Sequence, residues 1–450
     1  MLKTNKILIF LFIFSLVHAQ DIKLEETWDG YEGEFITQLD IQTEGALKVE
    51  NYSGDVYVEG TDDTEFYCTE IFTIKSRSRS RARSIFKKNR VRIEEKDDRI
   101  IIEGSNPGRI YYSRLEIRIP QKYFANVISE GGDITAVNLT GSFTGTSQGG
   151  DLDCSEIRGE LSLQTLGGDI SVDNANGNIT VKTSGGDVDL EAIESEVKIR
   201  TAGGDIDLYR FKGQGSIKTS GGDINLQALE GEELSVMTSG GNISINNSNI
   251  NLNARTFGGD IRLSKASKNY DLDTKGGDIF VEEVEGDLKT KTSGGDVEVG
   301  HLTGTLFVKS SGGDVIIQTV RNDVEVINSG GDITIEQANG NVDIKGAGGD
   351  IYIRKLNNKD PEQNNVAISS SGGKINCHID KSISAILKAQ IQMKHYQDYD
   401  LISDFDLEIK SEKVRNKYVI RGNAYINGGK SLIDLRNDEG DIKIKAINNK

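Results

Sequence analysis

The 450-residue chain is poor in proline (3), cysteine (3), histidine (4) and tryptophan (1), and aromatic residues make up only 6%. Cys68, Cys154 and Cys377 lie far apart and are odd in number, which excludes a disulfide framework. Beyond residue 19 the histidines are His301, His378 and His395, with no zinc-site spacing. So little proline beside 36% apolar residues argues against disorder. No stretch after residue 19 is long and apolar enough to cross a membrane as a helix of about 20 residues. Positive charge is also in deficit: 53 Lys and Arg stand against 70 Asp and Glu, a formal charge of −17, which disfavours nucleic acid as a partner.

The first 19 residues read as a secretory signal. Lys3 and Lys6 precede an apolar run from Ile7 to Val17, and Val17-His18-Ala19 forms a small-residue cleavage site before Gln20. That run is too short to span a bilayer, and no cysteine follows it to carry a lipid. The expectation is export by the Sec pathway to a periplasmic, cell-surface or secreted location. One segment departs from the acidic body. Residues 75–92 hold Lys75, Arg77, Arg79, Arg81, Arg83, Lys87, Lys88, Arg90 and Arg92 and no acid. Such a block suits phosphate, anionic glycan or lipid headgroups; the plainer reading is a solvated helix or loop.

Glycine is what the chain has in excess: 51 residues, far from the one-third in strict triplets that collagen needs. Much of it lies in one repeat. Gly-Gly plus a polar residue recurs fourteen times from Asp133 to Lys374, and the third position is Asp in twelve of them. The spacing is 18 residues five times, 19 once, 18 six times and finally 24. With the Asp as position zero, +1 is Ile, Leu or Val throughout, +3 is aliphatic or Cys throughout, and +2 is mostly polar. That alternation is a half-buried strand. Position +6 is mostly apolar, as are −8 and −6, while −4 is Ser or Thr in twelve of fourteen copies. A weaker glycine at +8, with Asn322 and Asn358 in its place elsewhere, is expected to mark a second turn in the left-handed conformation.

Each repeat thus predicts two short strands, and one 18-residue unit cannot close a core alone. The expected fold is all-β: a single-stranded β-solenoid (β-helix) of about fourteen regular Gly-Gly-Asp coils, with irregular β-rich caps at both ends. The expected segments are the leader 1–19, an N-terminal cap over 20–125, regular coils over 126–375, and degenerate coils with a cap over 376–450. In the N-terminal cap, Leu47 to Val58 reads as an early degenerate coil, Val91–Glu95 and Arg99–Glu103 as a hairpin, and the basic stretch as a short helix. At the other end, Ile433–Leu435 and Asp441–Ile444 read as closing coils.

The Asp column raises a choice between a cation ladder and an Asx-type turn. A glycine-rich calcium solenoid needs a further Gly and Asp that are missing here, and Asn242 fills the column without charge, so the turn is preferred. Cys154 and Cys377 fall at the inward +3 position and read as small hydrophobes. No nucleophile motif or phosphate loop occurs, and spacing this regular leaves no room for cleft-forming loops. No catalytic, cofactor-binding or metal-ligating residue is singled out, and no cofactor is expected.

Further motifs carry a resemblance. They are Ser53-Gly54-Asp55-Val56, Leu115 to Pro120 leading into Gly131-Gly132-Asp133-Ile134, the repeated Ser-Gly-Gly-Asp turns as at Ser184–Asp187, Ser403-Asp404-Phe405, and Gly428-Gly429 before Gly440-Asp441-Ile442. Together they resemble the exported bacterial β-solenoid domains of unknown function that carry the provisional name adhesin. The resemblance implies a secreted or surface solenoid without known catalytic residues. The leading expectation is therefore a non-enzymatic, adhesin-like protein that binds an unknown surface glycan or protein through its outward strand positions. The alternatives are a carbohydrate-binding or carbohydrate-active β-helix, which an outward aromatic stripe at Phe280, Ile316 and Tyr352 would favour, and a purely structural spacer. The oligomeric state is not expressed in the sequence.

Overall fold

The computed structural model describes residues 18–19, 22–104, 110–395 and 399–448. The leader read from residues 1–19 lies, except for His18–Ala19, outside the described residues. The chain divides into two compact units, Met1–Gly186 and Asp187–Lys450. Each is a β-solenoid of stacked parallel strands, in keeping with the all-β expectation.

In the first unit, the 18-residue period becomes strand register. Ile134–Leu139 pairs in parallel with Leu152–Ile157, which pairs with Ile170–Asn176, so that Leu152 faces Ile170 and Cys154 faces Val172. The second strand of each coil does the same, with Phe143 opposite Leu161 and Leu161 opposite Ile179. Every inward side chain therefore stacks on its own copy one coil away. Ile134, Leu139, Phe143, Leu152, Ile157 and Leu161 all reach 0% exposure. Burying each such side chain contributes about 1.5–3 kcal/mol, which is how many small coils become one core.

The N-terminal end does not follow chain order. Ala46–Tyr52 pairs in parallel with Phe124–Ser129 on one side and with Arg99–Glu103 on the other. Asp55–Thr61 is likewise held between Ile134–Leu139 and Ile110–Pro120. The early coil is thus sandwiched by a coil that the chain forms later. Antiparallel strands then leave the solenoid: Glu65–Ile74 pairs with Ile110–Pro120 and with Gly30–Asp40, and Lys23–Thr27 closes a hairpin on the last. The predicted helix is Arg79–Asn89. It buries Ala82 and Phe86 against Leu24, Tyr31, Phe35, Phe72 and Ile74, with the Phe72 and Phe86 rings stacked 3.5 Å apart.

The second unit opens with four long strands, Val188–Arg200, Ile206–Lys218, Ile224–Met237 and Ile243–Arg255, of 13 or 14 residues each. Here the expected two short strands are one continuous strand that bends. The bend lies at +5, where Ala192, Arg210, Ala228 and Asn247 have φ of 54–57°. From Ile261 onward each coil splits into two strands, as in Ile261–Ala266 and Tyr270–Asp273.

The C-terminal end corrects an expectation. Ser431–Asp438 lies between Val366–Ser370 and Ala385–Met393, and Ile442–Ile447 lies between Ile375–Asp380 and Leu401–Ser403. The segments read as closing coils are therefore internal. The outer coil is built from Ala385–Met393 and Leu401–Ser403, and the antiparallel strands Lys417–Ile426 and Glu408–Val414 extend from it. Inward alternation looks the same in a coil whatever its place in the stack, so the pattern could not disclose this order.

Candidate functional site: the corner ladders and the outer grooves

Three residue columns build the Gly-Gly-Asp corner. The −4 hydroxyls are buried and bridge coils. Thr219 Oγ1 donates to Gly204 O (3.0 Å) and accepts from Gly222 N (3.3 Å), and Thr165 does the same with Gly150 O (3.0 Å) and Gly168 N (3.3 Å). Where the column departs, Asn328 replaces it and its Nδ2 donates to Gly313 O (3.0 Å) and Gly331 O (2.9 Å).

The second glycine of each pair is required by close approach. A Cβ on Gly222 would stand 2.0 Å from Gly204 O, whereas one on Gly221 meets nothing nearer than 3.4 Å. The +8 glycines follow the same rule, since a Cβ on Gly286 would stand 2.4 Å from Lys268 O. Of the eight glycines at +8, only Gly177 and Gly231 have positive φ, and Asn322 and Asn358 do not. The left-handed residues sit instead at +5, in the coils from Asn138 to Asn247.

The Asp column is an inter-coil ladder. Asp133 Oδ1 accepts the Asp151 N–H (2.8 Å) and Asp151 Oδ1 the Asp169 N–H (2.8 Å). In the second unit Asp205 Oδ1 accepts the Asp223 N–H (2.7 Å), and Asn242 Oδ1 accepts that of Asp260 (2.9 Å). The run ends on Lys374, whose N–H is taken by Asp350 Oδ1 (2.7 Å). The expected Asx-type turn is thus corrected: the oxygen serves the next coil's backbone rather than its own turn, because in-register stacking sets that N–H about one strand spacing away. A similar ladder at −9 was missed. Asn251, Asn269 and Asp287 take the N–H groups of Asn269 (3.3 Å), Asp287 (2.9 Å) and Thr305 (2.8 Å). It resumes with Asp323 and Asn341, and Asn365 passes it to Leu432 (2.9 Å). The recurrence of Asn and Asp at −9 was its sequence signal.

Cys68, Cys154 and Cys377 are free and buried. Burial pushes the Cys377 thiol up to about 12 and Cys154 higher still. Lys355 is fully buried, and its Nζ donates to Asn339 O (2.8 Å), Leu356 O (2.7 Å) and Asn364 Oδ1 (2.9 Å). Burial pushes its pKa down to about 7. It anchors the loop that makes the 24-residue interval. Among the described residues, no three His, Cys, Asp or Glu side chains converge as metal ligands.

The outward columns of the second unit frame two long grooves. One, of about 800 Å³, runs between the +2 and +4 columns and is lined by Asp207, Tyr209, Asn225, Asn246, Phe280 and His301 among others. Arg262 lies over the Phe280 ring at 5.1 Å. The other, of about 940 Å³, follows the −9 and −7 columns past Asn253, Asp271, Phe307, Glu325 and Asp343. Phe280, Ile316 and Tyr352 do share one outward column, with Glu298 and Thr334 between them.

Comparison with known proteins places this geometry. The Toastrack DUF4097 family model matches residues 45–265 and 216–329, and the chain belongs to that family. Among solved structures, similarity extends to a "putative adhesin" of Parabacteroides distasonis (12% identity, 72% of this chain and 97% of that one, TM-score 0.20). A "putative cell adhesion protein" of Clostridium sporogenes matches at 10% identity over 96% of this chain and 100% of that one, with a TM-score of 0.14. A "putative adhesin" of Bacteroides fragilis matches at 11% identity over 72% and 97%, with a TM-score of 0.15. No curated protein matches the chain.

Proposed function

We propose that this is an exported, non-enzymatic, adhesin-like protein that binds an extended partner along the outward strand faces of residues 187–450. The observation that carries the reading is the pair of grooves of about 800 and 940 Å³, whose walls repeat one side-chain position per coil. An extended partner would meet one side chain of each column about every 4.8 Å. The side chains at the Gly-Gly-Asp corners are engaged in holding coils together, so recognition falls to the outward columns. Of the two expected partner types, a glycan is favoured over a protein. The smaller groove combines the half-exposed rings of Tyr209 and Phe280 with the amides of Asn225 and Asn246, which suits stacking on sugar rings and bonding to hydroxyls.

Glycan-array and whole-cell binding test this. The wild-type chain should bind, and Tyr209→Ala with Phe280→Ala should abolish binding without changing the melting temperature. Absence of binding to glycan, cell surface or protein would remove the adhesin reading. Chemical turnover of a bound glycan would overturn the non-enzymatic one.

A further inference from the structure

The chain has a single tryptophan, and Trp28 is 97% exposed. It occupies the two-residue turn between Lys23–Thr27 and Gly30–Asp40, where the partners Thr27 and Gly30 close the hairpin. This turn abuts the start of the basic segment. Lys75 Nζ lies 3.2 Å from Asp29 Oδ2, a Cβ on Gly30 would stand 2.1 Å from Ile74 O, and Arg79 Nη2 donates to Leu24 O at 3.2 Å. The helix Arg79–Asn89 turns Ala82 and Phe86 to the core. With 100° per residue, Arg81, Lys87 and Lys88 then fall on the opposite side; Arg77 lies just before the helix, and all four are exposed. No acid occurs from Ile71 to Ile93, so nothing within the segment offsets them.

Not all of the basic block belongs to this face. The Arg90 guanidinium meets the Glu70 carboxylate at 2.9 Å and lies 3.3 Å over the Phe35 ring, so it serves the fold. What remains is a cationic face with no acidic partner among the described residues, beside one protruding indole, on a chain of charge −17.

We infer that this N-terminal cap docks on an anionic lipid surface, with Trp28 entering the headgroup region and Arg77, Arg81, Lys87 and Lys88 facing lipid phosphates. Charge complementarity alone would also suit a soluble polyanion. The indole decides between them. Tryptophan is the residue that gains most at a membrane–water interface, and basic side chains beside it add attraction to anionic headgroups. A polyanion in solution gives an isolated exposed indole nothing comparable. This docking is independent of the groove reading above.

Because Trp28 is the sole tryptophan, fluorescence reports on it alone. The test uses the chain from Gln20 onward, with vesicles of phosphatidylcholine alone or containing phosphatidylglycerol. With phosphatidylglycerol, emission should shift to the blue and brominated lipid chains should quench it; phosphatidylcholine alone should leave it unchanged. Replacing Arg77, Arg81, Lys87 and Lys88 by Gln should weaken partitioning by about a hundredfold or more. Trp28→Ala, followed by vesicle co-sedimentation, should weaken it about tenfold. The inference fails if neither vesicle shifts the emission, if both shift it equally, or if Trp28→Ala partitions like the wild type. It also fails if inorganic polyphosphate binds while vesicles do not, which would make the face a polyanion site.

Discussion

Residues 188–255 and 261–355 have nearly the same period and the same inward columns, yet they turn their second corner differently. In the first stretch one strand of 13 or 14 residues runs round the corner, and a non-glycine residue at +5 takes the left-handed conformation. In the second stretch the strand breaks in two, no +5 residue has positive φ, and the −9 side chains of Asn269, Asp287 and Asp323 hold the corner. One set of coils holds a left-handed residue at +5; the other carries hydrogen-bonding side chains at −9, four residues further on, and the coil of Asn247 and Asn251 has both. The comparison teaches that an 18-residue coil is specified mainly by its Gly-Gly-Asp corner, which both stretches share, while the opposite corner is free to vary.

The largest expected effect lies where the second stretch ends, at Lys355. Lys355→Met should cost about 2–4 kcal/mol, because buried Asn364 Oδ1 and the half-buried carbonyls of Asn339 and Leu356 lose their donor. It should also change the pH response. The folded pKa of Lys355 lies near 7, below that of an ordinary lysine. Between those values the unfolded chain carries a proton that the folded one does not, so wild-type stability should rise with pH across that window. Denaturant titrations from pH 6 to 10 should show this slope in the wild type and a flatter one in the variant.

Next comes the hydroxyl row common to both stretches. Thr219→Val and Thr292→Val should each cost about 2–3 kcal/mol, since each leaves a buried glycine N–H and a glycine carbonyl, buried at Gly204 and half-buried at Gly277, without a partner. Equal losses by thermal or chemical unfolding would sharpen the comparison; unequal losses would mean that the shared corner is not equivalent in the two stretches. A smaller contrast should appear at the second corner. Asp287→Ala should lose about 1 kcal/mol, Asp287→Asn should lose little, and Ala192→Gly should gain up to about 1 kcal/mol by relieving the left-handed strain. A gain from glycine at Lys265, the equivalent place in the second stretch, would break the distinction.

Much of this architecture was legible because the repeat states each inward position fourteen times over. Ile206, Leu208, Phe211 and Thr219 are buried where the period puts them. The left-handed column was hidden by Glu156, Ala192, Arg210 and Ala228, residue types that do not advertise positive φ, although Asn138, Asn174 and Asn247 do. The order of the end coils was hidden for another reason. Each coil needs the same alternation wherever it stacks, so Ile433 and Ile442 looked terminal although each is covered on both sides. The candidate grooves were only partly legible. The Phe280–Ile316–Tyr352 column followed from the period, but the part that Tyr209 at +4 and His301 at +5 take in the lining did not.

The central claim is that the Gly-Gly-Asp column is a hydrogen-bond ladder between coils, in which the oxygen rather than the charge is needed. The direct test is the stability of Asp223→Asn and Asp223→Ala, each measured with calcium and with a chelator. Asp223 Oδ1 accepts the Asn242 N–H at 2.7 Å. The Asn variant should stay within about 0.5 kcal/mol of the wild type, the Ala variant should lose about 1–2 kcal/mol, and calcium should change none of the three. An Asn variant as unstable as the Ala variant, with wild-type stability that rises on adding calcium, would contradict it.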